Sequence, residues 1–199
     1  MRRTTVKLAA LFIIFFNLAC SKEDAELEEA DTFLHGSLDS SFNAKSEIIE
    51  LDLNKDKQTD FRFYTETING DHETIEAFLI ESVEENKIVL ANNTYNYSFH
   101  CRDLVSLQPG QLVSTETGSA NSWDKVKGLL AVRYLSENVS FSGKWSDEQE
   151  KTIGVRVESN GKINYGWIRL QFNRTRNMMM IKDYALNGLY GKPIKAGEL

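Results

Sequence analysis

Apolar and polar residues alternate along most of the chain after residue 32. In KTIGVRVE, Ile153, Val155 and Val157 lie on one side of an extended chain, and glycine and charged residues lie on the other. The same alternation runs through SEIIELDL, DFRFYTE and NYGWIRLQF. A period of two residues is typical of an antiparallel strand with one face on the core and one in water. We therefore expect such strands to build the body of the chain.

Turn-forming dipeptides separate these segments at the spacing of an all-β domain. They are Asn69-Gly70, Asn92-Asn93, Asn160-Gly161 and Asn187-Gly188. Only two prolines occur, both outside the strongest strand segments, and ANSWDKVKG (120–128) is compatible with one or two turns of helix. The pattern predicts an all-β fold, an antiparallel two-sheet β-sandwich similar to a jelly roll.

One hairpin can be registered from the sequence. If Asn160-Gly161 forms a two-residue type I′ turn, Ile153 pairs with Ile168 and Trp167 lies over Gly154. This register keeps the core face mostly apolar and sets a large ring beside a glycine. A shift by one residue would exchange the two faces.

The amino terminus has the layout of an export signal. The basic start MRRTTVK precedes an apolar stretch of 12 residues, LAALFIIFFNLA, which is too short to span a bilayer. The stretch ends at Ala19-Cys20, as in a bacterial lipoprotein signal, although Asn17 and Leu18 depart from the usual motif. We expect residues 1–19 to be a lipoprotein signal peptide and Cys20 to be acylated. Ordinary signal cleavage, or an uncleaved helical anchor, is the alternative.

The residues after Cys20 suggest a cellular location for the protein. CSKEDAELEEAD resembles the export signal of surface lipoproteins in Bacteroidota, a likeness carried by residues 21–24. The resemblance implies a lipid-anchored protein on the outer face of the bacterial outer membrane. Residues 20–31 then form an acidic, glycine-free tether that stays solvated. The remainder, 32–199, is expected to be a single β-sandwich domain.

A second resemblance covers roughly the last fifty residues. NYGWIRLQF and IKDYALNGLYGKPIKAGEL are similar to a carboxy-terminal β segment of uncharacterised secreted proteins of Bacteroidota and some other bacteria. That likeness implies a β fold and secretion and transfers no activity. The matching residues are Tyr165, Gly166, Trp167, Ile168, Asp183, Tyr184, Ala185, Gly191, Pro193 and Ile194.

Charge and cysteine content exclude some partners. The chain has a formal charge of −6, and residues 1–19 contain three basic and no acidic residues, so the remainder carries −9. Such a chain is repelled by nucleic acid and by anionic lipid headgroups, and we expect no nucleic-acid partner. If Cys20 is acylated, Cys101 has no partner in its own chain, and a buried, unreactive thiol is expected.

DLNKDKQTD resembles a calcium-binding loop. Alternating oxygen donors on one tight loop suit a hard cation that needs six or seven oxygens. Two positions depart from the usual calcium loop. Lys57 occupies the position that is normally a glycine with positive φ, and Phe63 occupies the position that is normally a glutamate binding the ion through both oxygens. The alternative is a polar connection held by Asx turns. The predicted calcium ligands are Asp52, Asn54, Asp56, Asp60 and the carbonyl of Gln58.

A stripe on the outward side of the predicted hairpin is a candidate ligand surface. Tyr165, Trp167 and Arg169 share this side with Arg156 on the paired strand, and could stack on a sugar or bind an acidic group. The alternative is a structural cluster in which Trp167 covers glycine and the arginines pair with acids. Trp123 and Trp145 lie near predicted loops, where either ligand contact or burial is possible.

The leading hypothesis for function is a non-enzymatic surface lipoprotein whose β-sandwich binds a glycan or an envelope protein, stabilised by calcium if the loop binds it. Two alternatives remain. One is a small extracytoplasmic hydrolase acting on polysaccharide or peptide, which would need a cleft with two carboxylates. The other is a structural accessory subunit of an envelope complex.

Overall fold

The computed structural model describes residues 33–45 and 48–199, which form strands and no helix. The predicted signal peptide, the predicted acylation site Cys20 and the predicted acidic tether lie outside the described residues. No described segment is a helix long and apolar enough to cross a membrane. The strands are β1 (Phe33–Phe42), β2 (Ile49–Leu51), β3 (Phe61–Asn69), β4 (Thr74–Ser82), β5 (Lys87–Ala91), β6 (Cys101–Asp103), β7 (Leu112–Val113), β8 (Asn121–Asp124), β9 (Lys127–Leu135), β10 (Ser140–Ser142), β11 (Glu150–Ser159), β12 (Lys162–Asn173), β13 (Met178–Asn187) and β14 (Ile194–Lys195).

Two six-stranded sheets form a β-sandwich, as the alternation predicted. Sheet 1 has the order β1-β13-β12-β11-β5-β8, and sheet 2 has the order β10-β9-β4-β3-β2 with β6 added beside β9. Neighbouring strands are antiparallel, except that the three residues of β6 run parallel to β9. β7 and β14 pair separately as a third, two-stranded sheet.

The inward faces of the two sheets share one apolar core. Phe63 and Phe78 of sheet 2 pack in the same cluster as Ile168 and Phe172 of sheet 1, and all four side chains are buried. The rings of Phe78 and Phe172 meet edge to face with centroids 5.2 Å apart. Interdigitated side chains between two inner faces are what hold an aligned sandwich together.

The predicted register of the β11–β12 hairpin is confirmed. Ile153 pairs with Ile168 and Gly154 with Trp167. Asn160 and Gly161 have φ of 53° and 73°, the two positive values that a type I′ turn requires. A dipeptide that tolerates this backbone therefore fixes which side of each strand faces the core.

The outward face of sheet 1 is covered by protein. β7, β14 and the segment around Leu107 lie over it, and their apolar side chains form a second buried cluster with those of the sheet. We call this the outer cluster. It comprises Leu107, Val113, Tyr165, Trp167, Ala185, Ile194 and Ala196.

Sheet 2 is covered in a similar way. Phe99, just before β6, and Cys101, the first residue of β6, belong to a third buried cluster. They pack there with side chains of β4 and β9, namely Ala77, Leu79 and Val132. Burial raises the pKa of the Cys101 thiol to about 11, so it stays protonated at neutral pH. The expectation of a buried thiol is confirmed.

The suggestion of a short helix over 120–128 is wrong. Residues 121–124 form β8, whose Trp123 pairs with Val89 of β5, and β9 begins at Lys127. Strand pairing with β5 satisfies the backbone of a segment whose own sequence has no strong preference.

Candidate functional site

The outward stripe of the β11–β12 hairpin is not at the surface. Trp167 is fully buried, and its indole Nε1 donates to the carbonyl oxygen of Glu198 at 3.2 Å. Tyr165 is also buried, with its hydroxyl 2.8 Å from Oγ1 of Thr115. The prediction that these rings face solvent is wrong, because the outer cluster covers them. They cannot stack on a ligand while that cover is in place.

The two arginines of the stripe are held by acids. Arg169 donates from Nε to Asp183 at 2.8 Å and also from Nη2, and these hydrogen bonds raise the pKa of its guanidinium. Arg156 lies opposite Tyr165 and donates to Oε2 of Glu158 at 2.6 Å. The arginines therefore match the structural alternative, in which they pair with acids.

A cavity of about 340 Å³ opens next to the outer cluster. Its base is apolar and is made by Val89, Leu107, Val113 and the half-buried ring of Trp123. Small-ligand sites are commonly concave, mostly apolar and supplied with a few polar groups. The polar groups here are on its rim, from Gln111, Ser114, Glu116, Thr117 and Asn121.

The loop between β7 and β8 forms the rim of this cavity and is tied by its own hydrogen bonds. Oγ1 of Thr117 donates to the carbonyl oxygen of Asn121 at 2.9 Å, and Nδ2 of Asn121 donates back to that of Thr117 at 3.2 Å. Gly118 takes the bend with φ of 81°. Trp123 is fixed by a 3.0 Å hydrogen bond from Nε1 to the carbonyl oxygen of Ser114. The cavity is therefore preformed.

Gly154 of β11 lies beneath the base of this cavity. A Cβ atom at this position would lie 3.0 Å from Val89, 3.3 Å from Leu107 and 3.4 Å from Val113. These are three of the four residues that form the base. The atoms nearest to that space belong to these aliphatic side chains rather than to Trp167, which the register alone placed over the glycine. The missing side chain at residue 154 lets the base of the cavity sit close to sheet 1.

The chemistry of the cavity suits a ligand with one apolar face and several hydroxyl groups. An aromatic ring and aliphatic side chains line the cavity together with hydroxyl, amide and carboxylate side chains, among which the Thr117 hydroxyl and the Asn121 amide already donate within the loop. Glu116 is the single acidic residue among the described lining residues. Trp123 was noted in the sequence only as lying near a predicted loop, whereas Trp145, noted with it, is buried.

The predicted calcium loop is a network of Asx turns. The two carboxylate oxygens of Asp52 accept from the backbone N–H groups of Asp56 at 3.1 Å and Lys57 at 2.7 Å. Asp56 in turn accepts from the N–H of Gln58 at 2.9 Å, and Oδ1 of Asn54 accepts from the N–H of Asp56 at 3.0 Å. The side chains named as metal ligands therefore bind the loop backbone, as the alternative reading proposed.

Asp60, the last predicted ligand, points inward. It is buried and accepts from the backbone N–H of Leu53 at 2.7 Å and from Nδ2 of Asn86 at 2.9 Å. Burial raises its pKa from 3.8 to about 6. In the part of the chain that the structure describes, no group of three or more His, Cys, Asp or Glu side chains is placed to hold a metal ion. Calcium binding here stays a prediction.

No protein-family model, curated protein or solved structure matches the chain.

Proposed function

We propose that this protein is a lipid-anchored surface lipoprotein whose β-sandwich binds a saccharide unit of a glycan in the cavity beside Trp123. The observation that carries the proposal is the composition of that cavity, an indole and aliphatic base under a rim of hydroxyl, amide and carboxylate groups. Its volume of about 340 Å³ lies at the lower end of the range for small-ligand pockets, which is about 300–1,000 Å³.

The shape of the site favours a saccharide over a flat protein partner. A protein interface needs a broad exposed apolar patch, whereas Leu112 is the one exposed apolar residue among the described residues that line the cavity. A sugar ring presents C–H groups on one face and hydroxyls at its edge, which matches the base and the rim.

Binding is favoured over hydrolysis at this site. A glycosidase needs two carboxylates at a fixed separation, one acting as acid and one as nucleophile or base. The described residues of the cavity supply one, that of Glu116. We therefore propose a binding protein rather than a hydrolase.

The anchor explains how a small cavity can be useful. The proposed lipid at Cys20, with the tether of residues 20–31, would hold many copies on the outer face of the outer membrane. Linked copies bind a repeating glycan together, so that weak single-site contacts give useful overall binding. Support for the anchor comes from the sequence of the first thirty residues alone.

We further propose that the loop of residues 52–60 binds calcium weakly and for structural purposes. Lys57 has φ of 71°, the backbone conformation that a calcium loop requires at this position even though glycine is missing. The carboxylate oxygens already accept N–H groups, so an ion would share them and its affinity would be low.

The saccharide proposal is tested by calorimetric titration of the full chain with a panel of common monosaccharides and their β-linked dimers. At least one should bind saturably. Trp123→Leu should weaken that binding by about tenfold or more, which equals about 1.4 kcal/mol. Glu116→Gln, an exposed rim change that leaves the core intact, should weaken it as well.

Tyr97→Leu is the matched control, because Tyr97 is an aromatic residue that is 80% exposed and does not line the cavity. It should bind as the unmodified protein does. The proposal is refuted if no saccharide of the panel binds, or if both cavity variants bind normally.

A further inference from the structure

A basic pocket of about 410 Å³ shares no lining residue with the cavity beside Trp123. It contains three cationic side chains, although the chain as a whole carries a formal charge of −6. The residues that matter are Lys45, Thr67, Glu76, Arg133, Arg176 and Asn177. We call these six residues the basic pocket.

Three distant parts of the chain form the basic pocket. Thr67, Glu76 and Arg133 are cross-strand neighbours on β3, β4 and β9, so their side chains lie in a row on one face of sheet 2. Lys45 follows the end of β1, and residues 176–177 belong to the turn between β12 and β13. Both sheets of the sandwich therefore contribute to the pocket.

The innermost cation is already oriented. Arg133 donates from Nε to Oε2 of Glu76 at 2.7 Å, and its Nη2 lies 2.5 Å from the same oxygen. Glu76 is buried, which holds the guanidinium in place. A guanidinium has five N–H donors and Glu76 occupies only one edge, so donors remain for a second acceptor.

Lys45 and Arg176 are two further cations of the pocket. Among the described residues, neither Lys45 nor Arg176 forms an ion pair. Glu76 neutralises one of the three charges, which leaves an excess of two positive charges in the described lining. Like charges held close together repel each other, and a bound anion would relieve that repulsion.

Asn177 adds a polar group without a partner. Its Oδ1 is buried and makes no hydrogen bond within the described structure, and its backbone is held at φ of 51°. Because this oxygen is buried, it is not exposed to a ligand in the pocket, and the cationic side chains carry the site.

We propose that the basic pocket binds an oxyanion group, such as a phosphate, sulfate or carboxylate carried by a small ligand. The guanidinium of Arg133 presents the planar donor edge that such groups accept from. Arg176 and Lys45 supply further positive charge. This proposal stands independently of the saccharide site.

The test is calorimetric titration of the full chain with sodium phosphate, sodium sulfate and sodium acetate, each against sodium chloride at equal ionic strength. At least one oxyanion should bind saturably, and the strongest of the three identifies the group. Arg176→Gln and Lys45→Gln should each weaken that binding, with a loss of about tenfold expected for the arginine change. Both side chains are exposed, so the variants should fold.

Arg62→Gln is the matched control, since Arg62 is an exposed arginine of β3 paired with Glu50 and lies outside the pocket. It removes the same charge and should leave oxyanion binding unchanged. The proposal is overturned if none of the oxyanions binds more tightly than chloride. It is also overturned if Arg176→Gln and Lys45→Gln bind normally, or if Arg62→Gln loses as much binding as they do.

Discussion

Asp60 shows at the scale of single residues how a polar group can connect the two sheets. Its carboxylate accepts from the backbone of Leu53 and from the amide of Asn86, and the oxygen of that amide accepts from the N–H of Glu158 on β11 at 2.8 Å. The carboxylate thus connects the loop after β2, the turn before β5 and sheet 1. Because burial disfavours its charged form, its pKa is raised to about 6.

Asp60→Asn should therefore change how stability depends on pH. Because the folded state holds the proton more tightly than the unfolded state, this group stabilises the fold most below pH 3.8 and loses that contribution as the pH rises to about 6. The unmodified protein should therefore exceed Asp60→Asn in free energy of unfolding by an amount that shrinks between pH 3.8 and about 6. Above about pH 6 this difference should stay constant. Near neutral pH the variant should still be about 1–3 kcal/mol less stable, because an amide cannot accept from both donors.

Chemical denaturation of both proteins from pH 4 to pH 7 gives the free energy of unfolding of each one. The difference between the two free energies reports Asp60 alone, because both proteins share the other carboxylates. A difference that grows with pH would contradict the raised pKa.

At the scale of elements, local patterns predicted the hairpin but not its cover. Asn160-Gly161 fixes a turn type, and the alternation in β11 and β12 fixes the faces, so the register followed from contiguous residues. The cover depends on β14 pairing with β7, about eighty residues earlier in the chain. The period of the strand shows that Trp167 points away from the core, and it cannot show whether water or protein lies there.

The candidate site, like the hairpin and its cover, has one part that local sequence could predict and one part that depends on long-range contacts. Trp123 could be singled out as a tryptophan beside a loop, but the cavity depends on Val89, Leu107 and Val113 meeting over Gly154. Those contacts join four segments that have no shared sequence signal. The calcium pattern, by contrast, is local, and its turn geometry appeared as a set of Asx bonds.

The loop of residues 52–60 gives a prediction about calcium. If it binds the ion, calcium at ten times the dissociation constant should stabilise the fold by about 1.4 kcal/mol. That corresponds to a rise in Tm of about 3–6 °C for a domain of this size. Asp56→Asn should lose the effect, while Asp71→Asn, an exposed aspartate in another turn, should retain it. A Tm that is the same in calcium and in EDTA would remove calcium from the account.

At the scale of the whole molecule, two of the pockets formed by the described residues are candidate binding sites. The cavity beside Trp123 is apolar at its base, and the basic pocket opposes the net charge of the chain. If the proposed anchor places the domain at a cell surface, that placement decides which ligands the two sites meet.

The anchor predicts a simple fractionation result. Cys20→Ser should abolish incorporation of radiolabelled palmitate and move the protein from the membrane fraction to the soluble one, because the thioether-linked lipid is the proposed attachment. Cys101→Ser, which changes the other cysteine, should leave both properties unchanged. Membrane retention of the Cys20→Ser protein without palmitate would favour an uncleaved helical anchor.

The claim that a saccharide enters the cavity beside Trp123 is tested most directly by the indole N–H signals of the protein in a nuclear magnetic resonance titration. The chain has three tryptophans, and each gives one such signal. The signal of Trp123 should shift saturably with added saccharide, while those of Trp145 and Trp167, which are buried, should stay in place. A shift of the Trp167 signal with none at Trp123 would place the ligand under the cover of sheet 1 and contradict the account.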